Sequence, residues 1–272
     1  MRKWMYRLVM LILIGVICYS GYQIADYLIT SHKNQADFDD VVEKLTTERY
    51  EGETIAITDE DDGSVIGYLP VEPETGENEE GAILPEFREL VEENPDMVGW
   101  IRIDGTKVNY PVMQTPNDPQ YYLRKNFKKS YSIAGTPFMQ WNCEIGESDN
   151  LIIYGHHMKN GTMFGSFENY KKQDYYEKHK YVRFDTMNHR GIYKIVIVFK
   201  TTVYDDVGYK YYEYTGSYGD EEAFNEYIRN IKSLQIYDTG FEPVFGDELL
   251  TLSTCEYSAQ NGRLVLVCKK IW

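Results

Sequence analysis

From residue 97 to the C-terminus the chain is divided into short runs rich in β-branched and aromatic residues, each bounded by turn formers. This rhythm constrains the fold more than any other feature. The runs are VGWIRI, VNYPVM, GTPFMQW, NLIIYG, KYVRFD, YKIVIVFKTTVY, ELLTLSTC and RLVLVCKKI. Eight short strands with few helices between them bury a core as a barrel or a sandwich. Helical spacing interrupts the pattern in few places. Phe224, Tyr227, Ile228 and Ile231 share one face of a helix expected over Asp220–Leu234. A second helix is expected over Met163–Tyr176. LPEFRELVEENP opens the domain, with Leu84, Phe87, Leu90 and Val91 at helical spacing and Pro95 as the stop. We expect one mainly β domain over residues 84–272, about 190 residues and large enough for a sizeable core.

The N-terminus belongs to a different environment. Leu8 to Ile17 reads LVMLILIGVI, softer apolar residues continue to Ala25, and Arg2, Lys3 and Arg7 precede the run. About 20 apolar residues span a bilayer as a helix, and a basic flank stays in the cytoplasm. The competing reading is a cleaved signal peptide, but no small-x-small cleavage site stands out after the run. Residues 1–29 are therefore expected to be a cytoplasmic flank and an uncleaved transmembrane anchor, with the remainder of the chain outside the cytoplasm.

Charge separates these two parts. The net charge is −15, yet residues 37–80 hold 16 acidic residues against only Lys44 and Arg49. The rest is close to neutral, and a nucleic-acid partner is not expected. Residues 30–83 read as an acidic stalk or linker of turn-rich composition that buries little. Within it Phe38, Val41, Val42 and Leu45 fall on one helical face, and TIAI and SVIGYLPV have the character of short strands.

Few residues are placed for chemistry. Of the cysteines Cys18, Cys143, Cys255 and Cys268, the first lies in the apolar run and no CxxC pair exists, so neither a disulfide framework nor a zinc site is supported. Cys255 stands where an apolar strand gives way to the polar loop EYSAQNG, a position both rigid and reachable, as a nucleophilic thiol requires. The plain alternative is a small buried hydrophobe. His156 follows NLIIYG at a strand exit, beside His157, and suits acid–base work; the alternative is a pair of ordinary loop histidines. Arg263 begins RLVLVCKKI, eight residues after Cys255, where a hairpin can return its guanidinium beside the thiol to stabilise an oxyanion. The alternative is a solvated arginine at a strand edge.

Taken together, LTLSTC at 250–255, YGHHM at 154–158 and GRLVLV at 262–267 resemble the signature of the sortases: a TLxTC strand end, an upstream GH histidine and a downstream arginine. NPDMVGWIRIDGTKVNYPVMQ, YYLRKNF and GHHMKNGTMFGSF look like class B sortases in particular. The resemblance implies an eight-stranded β-barrel with peripheral helices. It implies a cysteine transpeptidase that cleaves the sorting signal of a secreted protein after a threonine, through a thioester, and transfers it to a peptidoglycan amine. Cys255 is then the nucleophile, His156 the proton shuttle and Arg263 the oxyanion partner. Tyr154, Ser253 and Glu256 line the substrate groove. The implied partners are proteins with an NPxTx- or PxTG-like motif and the membrane; no cofactor or metal is implied. Trp141, in FMQWNC, lies in a stretch where relatives often carry an acidic residue and receives no role. A different extracytoplasmic cysteine peptidase and a non-enzymatic anchored binding module remain the rival readings.

Overall fold

The computed structural model describes residues 2–47, 54–59, 63–70, 82–203, 208–216, 220–256 and 261–272. A long helix, α1 (Arg2–Thr47), is followed by a hairpin of β1 (Thr54–Thr58) and β2 (Val65–Pro70) and by the short helix α2 (Arg88–Glu93). Then come β3 (Met97–Arg102), β4 (Asn109–Met113), β5 (Phe138–Met139), β6 (Asn150–Tyr154), α3 (Gln173–Lys178), β7 (Tyr181–Thr186), β8 (Ile192–Thr202), α4 (Glu221–Ser233), β9 (Leu249–Glu256) and β10 (Gly262–Lys270). Strands β3 to β10 form a closed barrel in the order β10-β8-β7-β3-β4-β5-β6-β9. The expected mainly β, eight-stranded architecture is what the chain adopts. Closure also removes the exposed sheet edges that invite aggregation.

The barrel strands read as nearly continuous apolar runs because both their faces are covered. All but two of the eleven residues of β8 are buried, and α4 packs its buried Phe224, Tyr227, Ile228 and Ile231 toward the barrel. The start of α4 is fixed by Asp220, whose carboxylate accepts the Ala223 N–H at 2.9 Å. Such a cap contributes about 1 kcal/mol. The helix expected over Met163–Tyr176 forms differently, as a 3₁₀ segment, Gly165–Lys171, followed by α3. Its first turn is displaced because Met163 is left-handed, at φ 51°, and Gly165 lies so close to the Met158 carbonyl that a Cβ would come within 2.2 Å of it. The helix expected at Leu84 likewise splits into a 3₁₀ turn, Pro85–Phe87, and α2. It stops at Asn94, which is extended, as a residue before proline prefers.

In α1, the stretch Lys3–Ala25 is long and apolar enough to cross a membrane and is not covered by the rest of the chain. Its 23 residues span about 35 Å at 1.5 Å per residue, against a hydrocarbon thickness of about 30 Å. The far end of the same helix rests on the barrel. Phe38 meets Tyr110 edge to face at 5.2 Å, and Val41 is buried in a cluster with Leu84, Phe87 and Leu90. Asp37 accepts from Asn126 at 2.9 Å and Asp40 pairs with Lys128 at 2.7 Å.

Farther along, buried Asp59 accepts from Lys194 at 2.9 Å and from the Tyr181 hydroxyl. The Lys194 ammonium also lies 3.6 Å from the centre of the Phe241 ring. The stretch 30–83, expected to bury little, therefore uses some of its acidic side chains to hold the barrel.

Candidate active site

Three neighbouring strands, β6, β9 and β10, bring the sequence-selected residues together. Strand β6 runs parallel to β9 with Tyr154 opposite Ser253, and β10 runs antiparallel to β9 with Arg263 opposite Cys255. Residues separated by a hundred positions thus reach one rim of the barrel. Two further bonds stitch the β6–β9 seam just past the register. The Gly155 N–H donates to the Ser253 carbonyl at 3.1 Å, and the Thr254 hydroxyl donates to the Gly155 carbonyl at 2.8 Å. Cys255 and Glu256 occupy the last two positions of β9. Their side chains, and with them the expected groove contact of Glu256, lie outside the described residues.

His156 is set by the fold on both sides. Its carbonyl accepts the Phe164 N–H at 3.0 Å, which closes the loop that follows β6. Its Nε2 lies 2.8 Å from the Leu123 carbonyl, so that nitrogen carries a proton and donates. Nδ1 is then the ring atom available for proton transfer. The Leu123 carbonyl comes from a 3₁₀ turn, Tyr121–Arg124, within YYLRKNF. Gly135 allows a close approach there: it is left-handed at φ 62°, and a Cβ on it would lie 2.7 Å from the Leu123 oxygen. Burial lowers the His156 pKa below its ordinary 6.5; the Leu123 bond opposes this and the Arg124 charge adds to it.

A groove of about 590 Å³ runs past these groups. His156, Arg263, Tyr154, Ser253 and Thr254 line it together with Leu123, Gln140, Trp141, Tyr212 and Glu213. Arg263 is half-buried and donates through Nη1 to the Gly262 carbonyl at 3.0 Å. The Tyr154 hydroxyl donates to Gln140 Oε1, and burial raises its pKa far above the ordinary value, so it remains a neutral donor. Ser253 is fully buried and its hydroxyl is bonded to that of Tyr211. It therefore forms the floor rather than a reachable wall.

The other two domain cysteines are poorly suited to nucleophilic chemistry. Cys143 is buried, and burial pushes its thiol up to about 11; Cys268 is fully buried and its thiol is raised further. Both stay protonated and shielded near neutral pH. Of the other groove residues, Trp141 was noted in the sequence without a role, and Leu123, Gln140, Tyr212 and Glu213 escaped the reading. They come from turns between strands, where periodicity carries no signal. Only YYLRKNF, noted for its resemblance to class B sortases, pointed to the region of Leu123.

Comparison with known proteins agrees with this geometry. Residues 101–271 match the family model described as "Sortase domain". The chain is 35% identical over 194 residues to Sortase B of Staphylococcus aureus (strain NCTC 8325 / PS 47), covering 70% of this chain and 76% of that protein. It is 27% identical over 273 residues to Sortase B of Listeria monocytogenes serovar 1/2a (strain ATCC BAA-679 / EGD-e), covering 99% and 98%. Among solved structures it is similar to the "Staphylococcus aureus sortase B-substrate complex", with a TM-score of 0.62 and 32% identity over 70% of this chain and 87% of that one.

Proposed function

Because the chain belongs to the sortase family, as a class B sortase and a cell-wall transpeptidase, we propose that Cys255, His156 and Arg263 cleave a sorting signal after threonine and transfer the acyl part to a peptidoglycan amine. The observation that carries this reading is the register of three adjacent strands, which sets residue 255 opposite Arg263 and His156 one step beyond the β6–β9 seam.

The chemistry follows from these residue types. The Cys255 thiolate attacks the threonine carbonyl carbon, a C–S bond forms, and the carbonyl electron pair moves onto oxygen. Arg263 donates hydrogen bonds to that oxyanion. As the tetrahedral intermediate collapses, the C–N bond breaks and the leaving nitrogen takes a proton from Nδ1 of imidazolium His156. In the second half, the acceptor amine attacks the thioester, His156 takes the proton released, and the thiolate departs. A lowered histidine pKa makes the imidazolium a stronger acid toward the leaving amine. It also leaves less of the histidine as imidazolium near neutral pH.

The motif recognised is of the NPxTx or PxTG kind, and Tyr154 and Ser253 shape the groove beside it. Residues 1–29 form a single-pass anchor, residues 30–83 a stalk, and residues 84–272 a catalytic domain held outside the cytoplasm. A screen of sorting-signal peptides against the full-length protein in detergent tests the reading. Wild type should cleave one motif class after threonine, and a methanethiosulfonate reagent should label Cys255 and stop cleavage. Undiminished cleavage by Cys255→Ala would remove the assignment.

A further inference from the structure

Trp141 is unaccounted for by the chemistry above. Its indole is 56% exposed, yet it lines the groove that holds His156 and Arg263. An exposed tryptophan in the wall of a reactive groove offers a large apolar surface at small conformational cost. We propose that Trp141 is a specificity-determining residue that packs on the sorting peptide three to five residues before the scissile bond. This rests on the reading that a sorting peptide is the substrate.

The position follows from register. Phe138 of β5 stands opposite Tyr154 of β6, and Met139 opposite Ile153. The pairing continues one residue farther, since the Gln140 N–H donates to the Ile152 carbonyl at 2.8 Å. Trp141 is the next residue, in a turn closed by the Cys143 N–H on the Gln140 carbonyl at 3.1 Å, one residue past the level of Ile152, which is two positions back from Tyr154. Ile152 in turn stands opposite Thr251, four positions before Cys255. Counting that further residue, Trp141 is three steps from Tyr154 and five from Cys255, roughly 10 to 17 Å at about 3.3 Å per strand residue. An extended peptide rises at the same rate, which gives three to five residues.

The kind of contact follows from the neighbouring polar groups. Gln140 adjoins Trp141, but its amide is already engaged. Its oxygen accepts from the Tyr154 hydroxyl, and its nitrogen donates to Asn142 Oδ1 at 2.7 Å and the Tyr212 carbonyl at 2.9 Å. What this part of the groove presents is thus an apolar ring beside a satisfied amide. That suits an aliphatic or proline side chain better than a sugar rich in hydroxyls. The proposal places Trp141 on the acyl side, because that part of the peptide stays bound through both steps, while the amine side must exchange.

The test is a cycle between enzyme and peptide. Peptides carrying a cleavable motif would have an apolar residue or glycine at each of positions three, four and five before the scissile bond. Each is assayed for kcat/KM with full-length wild type, Trp141→Ala and Trp141→Phe. At one of these positions the wild type should prefer the apolar residue about tenfold, Trp141→Ala should lose that preference, and Trp141→Phe should keep part of it. A second readout uses Cys255→Ala protein: the apolar peptide should change tryptophan emission, and the change should vanish when Trp141→Phe is added. An unaltered preference in Trp141→Ala overturns the inference. So does a coupling found only after the scissile bond, or only with the acceptor amine. If the wild type binds the peptide with the emission change but does not cleave it, the proposed reaction fails while the contact stands.

Discussion

Substituting Gly155 by alanine should damage both stability and turnover, by a route that the packing makes explicit. A Cβ at this position would lie 2.6 Å from two atoms of the Phe164 ring and 2.9 Å from a third. Ordinary carbon contacts are about 3.5–4.0 Å, so one partner must move by roughly 1 Å. The ring has little freedom, because it is fully buried and stacked on Phe167 with centroids 4.4 Å apart. Overpacking of this kind costs about 1–3 kcal/mol. Near 2 kcal/mol, a domain of this size should lose about 4–8 °C in Tm.

The other partner is the end of β6, and His156 is the next residue. A displacement near 1 Å at a reacting group costs about 10²-fold in rate. Gly155→Ala should therefore lower kcat/KM for a sorting peptide by about that factor, measured on the fraction that remains folded. Replacing the ring should relieve the clash, so Gly155→Ala with Phe164→Leu should recover part of both losses, although Phe164→Leu alone destabilises. Differential scanning calorimetry and peptide cleavage on all three variants complete the cycle. A Gly155→Ala protein with wild-type Tm and kcat/KM, or strictly additive effects in the double variant, would refute the reasoning.

Arg263→Lys should reduce kcat/KM by about 10²–10³, since an ammonium cannot reproduce the guanidinium fork; steady-state kinetics at saturating acceptor measures it. Burial holds the His156 pKa below 6.5, so the unfolded chain binds a proton that the fold resists. Stability should therefore fall as pH drops below 6.5, and the slope of Tm against pH in that window should flatten in His156→Gln. Lys194→Ala removes the Lys194 ammonium from the buried Asp59 carboxylate and should cost about 3–5 kcal/mol. A urea titration should show the loss while cleavage by the folded fraction is retained.

The strands were legible because each is a β-branched run bounded by turn residues, and each of β3 to β10 overlaps a segment read from the sequence, most to within one residue at either end. Residues 30–47 were harder. Their helical face, Phe38, Val41, Val42 and Leu45, is visible in the sequence, but the dominant acidic composition suggests solvent. Only the asparagine that meets Asp37 and the lysine that meets Asp40, nearly ninety positions away, reveal that some of those charges face the barrel. The same holds for the site. His156 and Arg263 stand at strand ends and carry recognisable chemistry. The Leu123 carbonyl, which selects the histidine tautomer, belongs to the main chain of a distant turn and has no side-chain signature. Trp141 was visible but could not be interpreted until β5 was seen beside β6.

One helix both reaches through the bilayer-length stretch and lies against the barrel. From Ala25 to Phe38 it advances about 20 Å, and every residue turns it by about 100°. The groove consequently has a set bearing relative to that apolar stretch as well as a set distance from it, like an instrument on a keyed shaft. Deleting a single residue from that interval would swing the catalytic rim by more than a quarter of a circle while changing its elevation by little over one ångström.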